Sequence, residues 1–350
     1  MMTVTWRQFR TQAAALLGFL VLVAVPLAVT GPHLRHAFAA AKLLGCEGDA
    51  ACGRAQHLFA GAVSAYAPAT AIYYGSIIAV YVLPALIGMF WGSPLVAREL
   101  ETRTLRVAWS QSVTRGRWLA VKLAVLGTAT MIAAAALSAA VTWWAAPLDA
   151  AAGLPGHDQG LTLPNRFSPL VFGARDWAPI GYALFAFALG VTSGALLRRT
   201  LSAMAVTAAL LVGVQLFIPV VLRPGYASPA TTKVTLRLQP STPQTIHLDG
   251  GALTVTTPAE IPGAWILRVE NLDAAGNVGP VPAPTACTSP TGTIADCDTA
   301  INALDLTQRA TFQPPQRYQR FQLTELTLYL LLAIAVGTLG AWRVRRVDLT

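Results

Sequence analysis

The chain of 350 residues is 54% hydrophobic and 12% charged, and its mean hydropathy is +0.53. In soluble domains about a quarter of the residues are charged, so this composition excludes an ordinary soluble protein and predicts a membrane protein. The formal charge of +9 does not indicate nucleic-acid binding, because the basic residues lie at the ends of apolar runs and form no soluble basic face.

Six apolar runs predict six transmembrane helices, since a spanning helix needs about 17–25 mostly apolar residues. Pro26 lies inside the first run and no small-residue cleavage site follows it, so we expect this run to be retained and not removed as a signal peptide. The sixth run is the shortest and begins at Leu326. The predicted spans cover about 13–31, 72–95, 120–146, 178–197, 201–222 and 326–342.

The distribution of basic residues predicts the orientation of these spans. Four segments that would lie on one side of the membrane hold 13 of the 25 Lys and Arg residues. These segments are 1–12, 97–122, 197–200 and 342–350. Because basic residues concentrate in cytoplasmic loops, we expect a multi-pass protein of the plasma membrane with both termini in the cytosol.

Four cysteines lie outside the predicted spans, in two loops on the opposite side of the membrane. Cys46 and Cys52 share one loop, and Cys287 and Cys297 share the other. An oxidising compartment suits them, and four cysteines allow three connectivities. Pairing within each loop closes two short rings and needs no contact between the loops. Neither pair has the spacing or the accompanying histidines of a zinc site, so we expect no metal.

The segment 223–325, between the fifth and sixth spans, is large enough to form an extracellular domain. Apolar residues alternate through much of 234–269, which predicts strands, and the turn at 249–251 indicates a hairpin. A short helix is expected at 298–311. The predicted fold class is therefore an all-α polytopic membrane protein with a mixed, partly β extracellular insertion between helices 5 and 6.

Sequence motifs of enzymes are absent from the chain. It has no GxxxxGK[ST], HExxH or GxSxG sequence, so we expect neither catalysis nor a bound cofactor. The predicted span cores also lack ionisable residues, which gradient-driven carriers usually keep at membrane depth. Any energy for transport must then come from another polypeptide, through a cytosolic surface.

Gly190 and Gly194 form a GxxxG pattern in the fourth span. Such patterns let helices approach closely. The sequence leaves open whether this face packs within the helix bundle or against a second subunit.

The segment 90–122 is the longest predicted cytosolic segment and carries a dense patch of charged residues. Residues 95–107 can form a helix in which Glu99 and Arg103 pair across one turn, and Arg115 opens the third span. Such a helix beside the membrane suits a groove on a soluble partner. A loop that only fixes the topology is the alternative.

The residues of this loop resemble those that follow the second span in ABC-2 type permeases. The resemblance rests on Glu99, Thr104, Leu105, Arg106, Ser112, Val113, Arg115, Trp118 and Lys122. The chain departs from the family pattern at Arg103, where the family usually has Gly, and at Ser112, where many members have Pro. The amino-acid sequences of this loop and of the segment near the C-terminus are similar to those of an actinobacterial subfamily.

The resemblance implies an ABC-2 fold like that of type V exporters, with a coupling helix at about 95–110 that docks on a separate ATP-binding cassette subunit. It also implies a second permease chain in the complex and an amphipathic connecting segment at 1–12, for which a basic topogenic tail is the alternative. The implied coupling residues are Arg98, Glu99, Glu101, Arg103, Thr104, Arg106 and Arg115.

The favoured function is thus the permease subunit of an ATP-driven exporter for an unidentified substrate. The alternative is a membrane-anchored sensor or assembly protein, in which residues 223–325 bind an extracellular ligand. Six spans favour the permease, because an anchor needs only one or two.

Overall fold

The computed structural model describes most of the chain. The described residues are 2–46, 49–66, 68–101, 115–154, 164–235, 246–249, 252–255, 261–272, 276, 278, 281–289, 293–304 and 306–345. Helices dominate both halves of this part, and strands occur between 230 and 313.

The helices are numbered here in chain order. They are α1 (Met2–Ala40), α2 (Asp49–Ala65), α3 (Pro68–Leu86), α4 (Ser93–Glu101), α5 (Arg115–Ala151), α6 (Pro169–Phe172), α7 (Ala178–Leu197), α8 (Thr200–Phe217), α9 (Thr285–Thr288), α10 (Ile294–Ala303) and α11 (Tyr318–Arg345). Two π-helical segments, Ile87–Gly92 and Ile218–Leu222, follow α3 and α8. Short 3₁₀ helices occur at Leu43–Gly45, Arg223–Gly225 and Pro315–Arg317.

Six helices of the described chain are long and apolar enough to cross a membrane, as the apolar runs predicted. The candidate spans are Arg10–Gly45, Pro68–Arg98, Ala120–Ala151, Ala178–Leu197, Thr200–Gly225 and Pro315–Arg343. Several of these helices extend beyond the predicted runs. The clearest case is α11, which begins at Tyr318 and therefore includes Glu325, a residue that the sequence placed outside the sixth span.

The strands form two antiparallel sheets of three strands each. One sheet has the order β1 (Ala230–Thr235), β6 (Thr307–Gln313), β4 (Trp265–Leu272), and the other has β2 (Ile246–Asp249), β3 (Ala252–Val255), β5 (Val281–Pro282). In the second sheet Asp249 lies opposite Ala252, so the hairpin that the sequence predicted is present.

The helix predicted at 298–311 is wrong in its second half. Helix α10 ends at Ala303, and residues 307–313 form β6, the central strand of the first sheet. Gln308 and Ala310 are buried in this strand, and Gln308 donates a hydrogen bond to the side chain of Asn271 on β4. One of the buried positions of this strand is thus occupied by a polar residue. A search for alternating apolar residues therefore does not detect the strand.

The helix α7 lies at the centre of the membrane-spanning part. It is the most buried of the candidate spans. One cluster of buried apolar residues joins α7 to α1, α3 and α5, and a second cluster joins it to α8 and α11. A third, small cluster forms the core of the strand region, around Leu253, Val281 and Ile301. Helices α4 and α11 both pack on α7, so α7 connects the two ends of the bundle.

Candidate functional site

Helix α4 continues directly from α3 through the π-helical segment Ile87–Gly92. Pro94 has no N–H to donate to the carbonyl of Phe90, four residues earlier, and its ring would crowd that carbonyl in a regular helix. The wider π-helical turn just before it relieves this conflict. The chain therefore leaves the second span as one helix up to Glu101, and residues 102–114 lie outside the described part.

Four glycines bring this helix against α7. Gly88 and Gly92 pack against the backbone of α7 around Ala186 to Gly190, and Gly194 packs against the backbone of Ser93. Each of the two glycine pairs is spaced four residues apart. A Cβ atom at Gly190 would overlap the carbonyl oxygen of Gly88, and one at Gly194 would overlap that of Ser93. Within this chain, the GxxxG pattern of the fourth span thus packs against the segment 88–93.

A buried hydroxyl pair adds a polar contact with α8. The Ser93 hydroxyl lies 3.2 Å from the hydroxyl of Thr207 and donates to the carbonyl of Gly88 at 3.1 Å. Both side chains are buried, and the Thr207 hydroxyl donates in turn to the carbonyl of Ala203 at 2.7 Å. The start of α4 is therefore held by α7 and α8 together.

The end of α4 is held by the first residue of α8. The backbone N–H of Thr200 donates to Oε1 of Glu101 at 2.9 Å, and the Thr200 hydroxyl donates to Oε2 at 2.7 Å. These bonds lower the pKa of Glu101, because they favour the charged carboxylate. A carboxylate at a helix N-terminus also interacts favourably with the helix dipole. Glu101 thus acts as a capping group for α8, supplied by α4.

The other coupling residues predicted from the sequence are described only in part. Arg98 lies on α4 with an exposed side chain. Glu99 lies on α4 and Arg115 begins α5, but their side chains are outside the described part of the chain. The remaining three fall in the segment 102–114, which the structure does not describe. They are Arg103, Thr104 and Arg106.

A buried ionic network at the far end of α7 was missed by the sequence analysis. Arg223 and Glu325 form an ion pair of 2.7 Å in which both side chains are fully buried. Tyr182 of α7 donates a hydrogen bond to the same carboxylate, and the Arg223 guanidinium lies 4.1 Å from the ring centre of Phe172. The network joins the last turn before the strand region to the first turns of α11.

The sequence does contain a signal for this network, which is a stripe of polar residues along α11. Tyr318, Gln322, Glu325 and Tyr329 are spaced by three or four residues and are at most 2% exposed. Gln322 accepts a hydrogen bond from the N–H of Ala178, the first residue of α7, and donates to the carbonyl of Phe172, both at 2.9 Å. Helical spacing of these polar residues next to an apolar run predicts a buried polar face, which a scan for uncharged runs ignores.

A second buried pair lies on the loop before α7. The Nε atom of Arg175 donates to Asp149 of α5 at 3.1 Å, and the Arg175 side chain is 1% exposed. Its guanidinium carbon lies 5.5 Å from the ring centre of Tyr73 on α3. Two long helices therefore carry a charged residue that has a buried arginine as its partner: Asp149 on α5 and Glu325 on α11.

The four cysteines pair within their loops. Cys46 is bonded to Cys52, and Cys287 is bonded to Cys297. The first bond joins the 3₁₀ turn after α1 to α2, and the second joins α9 to α10. Of the three disulfide connectivities that four cysteines allow, the structure has the one that closes two short rings.

Comparison with known proteins gives one family match. The model of the family described as ABC-2 membrane transporter related matches residues 17–223. This range includes the first five candidate spans almost entirely, with α4 and the glycine contacts, and it ends at Arg223. No curated protein and no solved structure matches the chain.

Proposed function

Because the chain belongs to the ABC-2 membrane transporter related family, we propose that it is the permease subunit of an exporter driven by ATP hydrolysis in a separate subunit. The chain itself carries no nucleotide-binding motif. Two copies of the chain and two ATPase subunits form the working complex.

The observation that carries the proposal is the attachment of α4 at both of its ends. Ser93 and the glycines hold its start against α7 and α8, and Glu101 holds its end on Thr200. The segment that follows, 102–114, contains the charged residues through which an ATPase would bind. A force on this segment is passed by α4 to the centre of the bundle, since close-packed helices move as units and do not deform continuously.

The sidedness of the complex follows from the charge distribution. The end of α4 and the turn at 198–199 carry basic residues, so this end of the bundle faces the cytosol together with both termini. The strand region then lies outside the cell, where an oxidising environment maintains its disulfide. The buried network of Arg223 and Glu325 fixes the attachment of that region to the bundle.

Co-purification with an ATP-binding cassette subunit tests the proposal. Glu99→Ala combined with Arg106→Glu removes one charge of the proposed docking segment and reverses another, and it should abolish the complex. The matched control is Glu270→Ala with Arg309→Glu, which makes the same two changes in a partly exposed ion pair of 3.8 Å on the first sheet and should leave the complex intact. A normal complex with normally stimulated ATP hydrolysis in the first variant would show that this segment does not couple the two subunits.

A further inference from the structure

The first sheet of the strand region has a buried face and an outer face, because successive side chains of a strand point to opposite sides. On its central strand β6, Gln308 and Ala310 are buried. Arg309 and Thr311 therefore lie on the outer face, together with the four residues that the register places opposite them. We call these six residues the outer patch. They are Thr231 and Lys233 of β1, Arg268 and Glu270 of β4, and Arg309 and Thr311 of β6.

The outer patch is basic and accessible. It carries three cations and one carboxylate, so its net charge is +2. The side chains of Arg268 and Arg309 are 72% and 39% exposed, and Lys233 is exposed as well. An anionic ligand can therefore reach the cations without any change in the fold.

Two of the cations oppose each other across neighbouring strands. Lys233 lies directly opposite Arg309. Side chains in this relation have their Cβ atoms about 4.5–5.5 Å apart, and like charges there are destabilising. The carboxylate of Glu270 lies 3.8 Å from Arg309 and 3.4 Å from Arg268, but Lys233 forms no ion pair with any residue that the structure describes. An anion held between Lys233 and Arg309 removes this repulsion.

Hydroxyl groups lie beside the cations. Thr231 is opposite Thr311, two residues along the strands from the pair of Lys233 and Arg309, which corresponds to about 7 Å. The six side chains of the outer patch include no apolar or aromatic group, whereas protein interfaces are anchored by such residues. The outer patch therefore suits a ligand that combines anionic groups with many hydroxyl groups.

The position of the outer patch separates it from the membrane-spanning helices. Strand β6 ends at Gln313, two residues before the candidate span Pro315–Arg343. The end of the sheet nearest to the bundle is marked by Trp265, which lies opposite Gln313 and packs on the ring of Phe321. Arg309 lies four residues from Gln313, about 13 Å along the strand. This separation favours a ligand in the extracellular space over the headgroup of a lipid.

We propose that the outer patch binds an acidic polysaccharide outside the cell. One carboxylate of the polymer lies between Lys233 and Arg309, a second one binds Arg268, and sugar hydroxyls bind the two threonines. The extracellular location of this site rests on the orientation given under the proposed function, whereas the binding itself depends on the sheet alone.

Binding of polygalacturonate, a polymer of a carboxylated sugar, tests the proposal. The fluorescently labelled polymer is titrated with the full-length protein in detergent, and polarisation gives the affinity. Lys233→Gln and Arg309→Gln should each weaken binding about fivefold. The matched control is Arg54→Gln, which removes an exposed positive charge from α2 and should change the affinity less than about twofold. Equal weakening by Arg54→Gln and Lys233→Gln would overturn the site, because the net charge alone would then explain the binding.

Glu270 provides a test of the opposite sign. Its carboxylate competes with the ligand for Arg268 and Arg309. Glu270→Gln removes the competitor, so polygalacturonate should bind about threefold more tightly. Unchanged or weaker binding, in a variant whose unfolding temperature shows that it is folded, would overturn the placement of the ligand on this face.

Other ligands distinguish the polysaccharide from two alternative classes of partner. Uncharged dextran should not bind. Polyglutamate carries the carboxylates without the sugar hydroxyls and should bind several-fold more weakly. Equal binding of polyglutamate would overturn the polysaccharide assignment in favour of an acidic peptide. Displacement of polygalacturonate by an equal concentration of short-chain phosphatidylglycerol would overturn it in favour of a lipid headgroup.

Intact cells test the extracellular location. Labelled polygalacturonate should bind cells that express the unchanged chain and should bind those with Lys233→Gln about fivefold more weakly. Binding only after permeabilisation would overturn the location. The proposed function fails separately, since it requires a complex with an ATPase. Polygalacturonate binding by a chain that forms no such complex would refute the proposed function and leave the site, whereas a normal complex that binds no polygalacturonate would refute the site alone.

Discussion

The carboxylate of Glu325 binds the guanidinium of Arg223 through two parallel hydrogen bonds, from Nε to Oε2 and from Nη2 to Oε1, each 2.7 Å long. The two residues stand 102 positions apart in the sequence, one at each end of the strand region. This buried ion pair beside α7 therefore holds the two ends of the strand region together.

Breaking this pair should destabilise the protein strongly. Either Glu325→Leu or Arg223→Met leaves one buried charge without its partner, which costs about 3–5 kcal/mol. The double variant should regain much of this loss, because no isolated charge is left. Thermal unfolding of the protein in detergent measures the effect. Arg268→Met is the control, since Arg268 is 72% exposed and its pair with Glu270 should contribute less than about 1 kcal/mol. Unchanged unfolding of both single variants would contradict the prediction.

The sequence predicted the membrane helices well because their signal is local. Each uncharged run and the turn at 249–251 lie within a short window of the sequence. The partner of Glu325 could not be found in this way, since Arg223 is far away in the chain and only the fold brings them together. A scan for uncharged runs also begins the sixth span at Leu326 and so excludes three of the four residues of the buried stripe of α11, namely Tyr318, Gln322 and Glu325.

The sequence also could not predict which residues the glycines of α7 contact. The pattern at Gly190 and Gly194 predicted a close helix contact, but not its partner, because small residues pack equally well within a chain and between chains. The segment 88–92 repeats the same spacing, and the structure places it against the part of α7 that contains Gly190. For Glu101, the sequence predicted a role in the cytosolic segment, and the structure shows its bonds to Thr200.

Substitution of these glycines should test the packing of α4 on α7. Gly190→Ala places a methyl group against the backbone of Gly88, which has no side chain that could move away. Overpacking of this kind typically costs about 1–3 kcal/mol. Gly213→Ala on α8 is the matched control, because no atom lies within 4 Å of its Cβ position; alanine there should be neutral or stabilising by up to about 1 kcal/mol. Equal unfolding temperatures for the two variants would refute the close packing of α4 on α7.

Removal of the cap from α8 should uncouple ATP hydrolysis from transport. Glu101→Ala deletes the acceptor of both Thr200 bonds. We expect the complex with the ATPase to form normally, while the stimulation of hydrolysis by cargo falls several-fold. Thr200→Val, which removes one of the two bonds, should give a smaller decrease. Full stimulation in Glu101→Ala would show that this cap does not transmit motion.

The same cap predicts a pH dependence. The pKa of Glu101 is lowered in the folded protein by the Thr200 bonds, from an ordinary value of 4.5. A group with a depressed pKa stabilises the fold above its unfolded pKa, and this contribution is lost as the pH falls through the folded value. The difference in unfolding temperature between the unchanged protein and Glu101→Gln should therefore be constant from pH 7 to about 5 and should shrink below pH 4.5. A difference that already disappears between pH 7 and 6 would refute this assignment.

Thiol labelling should establish the sidedness of the strand region. All four cysteines are in disulfides, so a membrane-impermeant maleimide should label intact cells only after reduction, and mass spectrometry without reduction should find the bonds 46–52 and 287–297. Arg199→Cys, at the exposed turn between α7 and α8, is the control for the cytosolic side. Its thiol should react without reduction, but only after the membrane is permeabilised. Because α7 crosses the membrane between the two reporters, labelling of Arg199→Cys in intact cells, with labelling of Cys287 only after permeabilisation, would invert the proposed orientation.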